Sequence, residues 1–242
     1  MMRSGNPALR TDTFTKVRSY DSSGTMTVEG TTNKTLILLF LTMFSASWVW
    51  GDPIKFIPFL IPILFGGFGI ALVTIFKKEW SPVTSPIYAV IEGIFLGVIS
   101  SMMESKFPGI VMQAVGLTFG VLFALLVAYK SKMIKVTDNF RLGVVAATGG
   151  IAILYFISII MGFFGARIPF IHESGPLGIG FSLFVVVIAS LNLVLDFDFI
   201  EKGAEYNAPK YMEWYGAFGL LVTLIWLYIE ILRLLAKLNS RR

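Results

Sequence analysis

The sequence predicts an all-α polytopic membrane protein, a bundle of seven transmembrane helices, and three observations carry that prediction. Of 242 residues, 55% are apolar and only 14% are charged, against about 25% charged in an ordinary soluble domain. The mean hydropathy is +0.77. Most charges lie near the N-terminus, in short clusters or at the extreme C-terminus, with apolar stretches between them. Each stretch is roughly twenty residues long, about what a helix needs to cross a ~30 Å hydrocarbon core. These features exclude a soluble enzyme, a disordered chain and a nucleic-acid binder.

The elements follow in order. Residues 1–33 are polar, rich in Ser, Thr and Gly, and lack the apolar core of a secretory signal. They read as a flexible cytoplasmic arm, and 34–242 as the membrane bundle. Seven apolar segments then run Thr35–Trp50, Ile54–Phe76, Pro86–Met103, Pro108–Tyr129, Leu142–Ala166, Pro176–Phe197 and Trp214–Leu238. The first is the shortest. Pro58 and Pro62 fall inside the second and should kink it. Gly93 with Gly97, and Gly116 with Gly120, give the small-xxx-small spacing that lets membrane helices approach closely.

Lys and Arg set the orientation. The arm, with Lys77, Lys78, Lys130, Lys132, Lys135, Arg141, Lys202 and Lys210, gathers thirteen basic residues on one side. The opposite loops hold Lys55, Lys106 and Arg167. The N-terminus is therefore expected in the cytoplasm. Seven spans place the C-terminus outside, where Arg233, Lys237, Arg241 and Arg242 oppose the rule. The alternatives are a last segment that fails to cross and six spans plus a re-entrant segment.

Cysteine is absent and His172 is the only histidine, so disulfides, thiolate sites and multi-histidine metal centres are excluded. Ionisable groups inside a span cost at least ~2.5 kcal/mol near its centre and need a partner, water or a purpose. Glu92 in segment 3, Asp196 at the end of segment 6 and Glu230 in segment 7 stand out. Asp196 shares a helical face with Asn192. Asp198 points elsewhere and precedes Lys202 by four residues, the spacing of a helix-surface ion pair. Arg233, one turn beyond Glu230, can neutralise it and snorkel to the interface. No Gly-x-Gly-Asp protease segment, intramembrane serine–histidine pair or deep lysine in the last span is present. Catalysis is not expected.

The segments Leu193-Val194-Leu195-Asp196-Phe197-Asp198 and Leu224-Ile225-Trp226-Leu227-Tyr228-Ile229-Glu230-Ile231-Leu232-Arg233 resemble the paired-acid signature of the Bax-inhibitor family, in a divergent bacterial form. The resemblance covers Thr35–Leu238. It implies a seven-helix bundle with the last helix central, and makes Asp196 and Glu230 a proton-sharing pair that gates a calcium leak. Lys77 or Lys78 would be the counter-charge, and Glu92, Asn192, Asp198 and Arg233 the supporting polar groups. The departures are a Glu for the second Asp, Arg233 in place of Asn, Lys for Arg, and about ten inserted residues between the acids. For the acids to meet, segment 6 must run past Ile200 and segment 7 must enter near Phe218.

The leading expectation is a pH-sensitive cation (calcium) leak channel without a cofactor, in which Asp196 and Glu230 hold Ca²⁺ transiently. The alternative is a non-transporting regulator that binds another membrane protein, such as a protease or a stress-response partner. The resemblance places the chain, as a monomer, in a bacterial inner membrane.

Overall fold

The computed structural model describes residues 24–165 and 173–241. Among these it contains seven long α-helices and no strand. They are α1 (Val28–Trp50), α2 (Leu60–Phe76), α3 (Ser81–Lys106), α4 (Ile110–Lys130), α5 (Asp138–Phe163), α6 (Pro176–Glu205) and α7 (Met212–Asn239). Six segments, all but α1, are long and apolar enough to cross a membrane by length and composition. Arg167 and His172 lie outside the described residues, as does the arm up to residue 23.

Local chemistry fixes the helix starts. The α1 helix begins at Val28, earlier than its apolar run, because the Thr27 side chain accepts the Gly30 N–H at 2.9 Å and caps it. Glu104, in the last turn of α3, accepts the Gly109 and Val111 N–H groups at 2.6 and 3.0 Å. It thereby caps α4, and Gly109 makes the turn at φ 84°, a conformation that favours glycine. The two prolines of segment 2 do not kink a continuous helix. Pro58 lies in a 3₁₀ turn over Pro53–Phe59, and the α-helix starts at Leu60, leaving Pro62 in its first turn. A missing N–H costs little there.

Packing follows small and hydroxyl side chains. Thr31, Thr35, Leu38, Thr42, Ser45 and Val49 form the buried face of α1, which packs against α3 more extensively than any other helix pair. Its threonine and serine hydroxyls return to carbonyls one turn back, as Thr42 does to Leu38 at 2.9 Å. Gly93 and Gly97 admit α1 closely. A Cβ on Gly93 would lie 2.9 Å from the Thr42 Cα, and one on Gly97 would lie 2.6 Å from the Ala46 carbonyl oxygen. Gly116 and Gly120 meet nothing comparable. Their spacing is not used for packing.

The α7 helix has the largest buried share of any span and packs against α1, α3, α4 and α6. It runs antiparallel to α6. Phe199 neighbours Tyr215 near the connection, with ring centroids 6.3 Å apart. At the other end, Lys237 donates to the Gly178 carbonyl at 2.9 Å and to Ser182 Oγ at 2.8 Å. By contrast, α5 buries only Arg141, Val144 and Ile151. It hangs on the side of the bundle.

Candidate functional site: a polar seam between α5, α6 and α7

The attachment of α5 is polar. Arg141, Thr148 and Tyr155 recur every seven residues, which places them on one face of the helix. Each bonds a different polar group across the interface. Arg141 Nη2 lies 2.6 Å from Asp198 Oδ2, and Lys202 Nζ lies 2.8 Å from the same oxygen. Asn192 Nδ2 donates to Thr148 Oγ1 and to the Ile188 carbonyl, both at 2.8 Å. The Tyr155 hydroxyl sits 3.0 and 3.1 Å from the two Glu230 carboxylate oxygens. Arg233 completes this last group: Nη1 donates to the Tyr155 hydroxyl at 2.6 Å and pairs with Glu230 at 3.0 Å. Its guanidinium also stands 5.1 Å from the Tyr155 ring centroid.

The seam is therefore a ladder of three polar ties along one helix interface, with a buried carboxylate and an arginine at each end. Arg141 is only 6% exposed and Glu230 1%. Charge-assisted bonds of this length are the strong class of hydrogen bond. Asp138 lies 3.7 Å from Arg141, an outlying member of the same group. Nearby, the Tyr129 hydroxyl donates to Glu201, which fastens α4 to α6.

Two sequence expectations hold here. Asp198 pairs with Lys202, and Glu230 with Arg233. The proposed pairing of Asp196 with Glu230 does not hold. Helix α6 does run past Ile200, to Glu205, but α7 begins at Met212 rather than near Phe218. Asp196 thus lies roughly 14 Å before the α6–α7 connection, while Glu230 lies roughly 27 Å beyond it, at 1.5 Å per residue. The acids differ in depth by about 13 Å, too far to share a proton. Asp196 is fully buried.

The other candidates scatter. Lys77 is exposed at the end of α2, and Lys78 stands 5.5 Å from the Tyr215 ring centroid, so neither is near Glu230. Glu92 faces α2, away from the seam: a Cβ on Gly67 would lie 2.8 Å from its Oε1. No group of three or more acidic or histidine side chains that could hold a metal occurs among the described residues.

Sequence reasoning missed Arg141 as a buried residue, having counted it as a loop charge. The seven-residue spacing of Arg141, Thr148 and Tyr155 was the available signal. It also missed Glu213, in the first turn of α7 and fully buried. The Glu213 carboxylate binds Lys34 at 2.6 Å, Lys210 at 2.8 Å, and the Thr27 N–H and hydroxyl at 3.0 and 2.9 Å. This clasp holds the start of α1 to the start of α7, beside a backbone bond from Met26 N–H to the Ala208 carbonyl at 2.7 Å.

No curated protein and no solved structure matches the chain. The family model described as Bax inhibitor 1 like matches residues 6–240, nearly the full length, and on that match this helical membrane protein belongs to the Bax inhibitor 1 like family.

Proposed function

We propose that the protein is a pH-sensitive cation leak channel, with calcium as the permeant ion and the α5–α6–α7 seam as the path. The observation that carries this reading is a run of oxygen-bearing side chains at one loosely packed interface: Asp198, Asn192 and Glu230, which are buried, and Thr148 and Tyr155, which are half-buried. Carboxylate, amide and hydroxyl oxygens suit a hard cation. In the described state Arg141 and Arg233 occupy the two carboxylates. Outward movement of α5 would free those oxygens, and α7, packed on four helices, would stay fixed as the central helix.

The sign of the pH effect follows from the ties. Arginine stays charged at any physiological pH, so each tie lasts while its carboxylate is ionised and weakens as the acid gains a proton. The groups facing Asp198 are Arg141 and Lys202, with Asp138 beyond; those facing Glu230 are Arg233 and Tyr155, with Lys237 one turn further. Flux is therefore expected to rise as pH falls, the opposite sign to a proton-sharing pair that opens on ionisation.

The test is calcium flux into proteoliposomes as a function of pH. Arg141→Gln is expected to raise flux several-fold at neutral pH, and Glu230→Gln to flatten the pH response. Flux that neither substitution alters would reject the seam. No flux in pure liposomes, together with one stoichiometric membrane partner recovered by cross-linking, would favour the regulator reading. The proposal carries no catalytic step and places the chain in a bacterial inner membrane with its N-terminus in the cytoplasm.

A further inference from the structure

A second intramembrane acid stands apart from the seam. Glu92 is about 17 Å along α3 from Ser81, close to the middle of that helix. It lines a cavity of about 240 Å³ between α2, α3 and α7, whose other walls include Leu64, Phe68, Tyr88, Phe218 and Val222. The α2 helix packs along α3, and its contact with α7 is slight, which leaves this space open. Gly67 of α2 gives the carboxylate its room. The Tyr88 hydroxyl, one turn away on α3, is its hydrogen-bond partner, and no Lys or Arg among the described residues pairs with it.

We propose that this cavity binds a monovalent organic ammonium bearing an apolar arm, which enters from the bilayer. Charge complementarity selects the cation. An ionised carboxylate in hydrocarbon without a counter-charge is costly; a cationic guest supplies that counter-charge and lets Glu92 ionise, which a neutral guest cannot do. The walls then select the kind of cation. A calcium ion needs six to eight oxygen ligands, and one carboxylate with one hydroxyl falls far short. An ammonium needs only one counter-charge and aromatic faces within about 6 Å. Phe68, Tyr88 and Phe218 supply rings around the same space, with Tyr88 and Phe218 already edge-to-face at 5.0 Å.

The route follows from exposure. Tyr88 and Phe218 at the back of the cavity are 6% and 1% exposed, whereas Phe68 and Leu64 at its mouth are 60% and 49% exposed on the lipid-facing side of α2. A guest dissolved in the bilayer reaches Glu92 without crossing the bundle. This site is independent of the calcium reading, since neither Glu92 nor any other wall residue belongs to the seam.

The experiment is isothermal titration of the full chain in lipid nanodiscs with benzyltrimethylammonium, using its neutral isostere neopentylbenzene and empty nanodiscs as references. The expected result is saturable binding of the cation, weakened at least ten-fold by Glu92→Gln. Phe68→Leu, at the lipid-facing mouth where folding tolerates change, should weaken it two- to five-fold. The neutral isostere should bind with no dependence on Glu92. Equal affinity in wild type and Glu92→Gln, unchanged affinity in Phe68→Leu, or a titration no different from empty nanodiscs would each overturn the proposal. The calcium-flux result stands or falls separately, because its variants leave this cavity intact.

Discussion

Glu213 shows how much one side chain can organise. Its carboxylate is fully buried, yet one ammonium group, one hydroxyl and one backbone N–H converge on Oε1, and the Lys34 ammonium stands against Oε2. Removing one partner of a buried pair is costly because the remaining charges lose their compensation. Lys210 is 42% exposed on its side chain, so its share is largely screened by solvent, while Lys34 at 19% is better shielded. Glu213→Ala is therefore expected to destabilise the protein by about 2 kcal/mol. That corresponds to roughly 4–8 °C in thermal unfolding for a chain of this size. An unchanged melting temperature would show that the clasp carries no net stability. Gly30 belongs to the same arrangement, since a Cβ there would run into the Glu213 carboxylate. Nothing in the sequence marks Gly30, because the contact joins residues far apart in the chain. Asp198 with Lys202 and Glu230 with Arg233 were legible for the opposite reason: their spacings are local, and one helical turn decides them.

At the scale of elements, two glycine pairs with the same spacing have different fates. Gly93 and Gly97 lie under α1, whereas Gly116 and Gly120 meet nothing within 4 Å. Sequence spacing records that a close approach is possible, and only the partner helix decides whether it occurs. The consequence is a differential expectation. Gly97→Ala would press against the Ala46 backbone, 2.6 Å away at its oxygen, and should destabilise by about 1–3 kcal/mol, as overpacking does. Gly116→Ala should be neutral or stabilise by up to about 1 kcal/mol through helix propensity. Thermal unfolding of the two variants in one detergent compares them directly, and equal effects would contradict the packing described. Helix existence and order were legible from hydropathy alone, because burial in lipid leaves a signal in every apolar run. Helix ends were not, because α1, α5 and α6 continue as polar turns past their apolar segments. That extension set the depth of α7, and with it the separation of Asp196 from Glu230.

At the scale of the whole molecule, the basic residues that seemed to forbid an outside C-terminus acquire other duties. Arg233 is held by Glu230 and Tyr155, and Lys237 by Gly178 and Ser182. In the folded bundle Lys237 is buried and Arg233 half-buried, each held by a polar partner. Of the other two, Arg241 is exposed and Arg242 lies outside the described residues; a larger set of lysines and arginines lies at the α2–α3, α4–α5 and α6–α7 connections. The bond from Lys237 to the start of α6 also requires α7 to run the full length of its neighbour, which is difficult for a re-entrant segment. The orientation rule and a seven-helix crossing are then compatible. Because the chain has no cysteine, single introduced thiols report sidedness without background. Ser131→Cys in the α4–α5 connection and Ser240→Cys after α7 are both at exposed positions. A membrane-impermeant maleimide applied to inside-out vesicles is expected to label the first and spare the second, with the pattern reversed in right-side-out vesicles. Labelling of both from the same side would mean that an even number of segments crosses between the N-terminal face and the tail. The seven-crossing arrangement, and the outside C-terminus with it, would then fail.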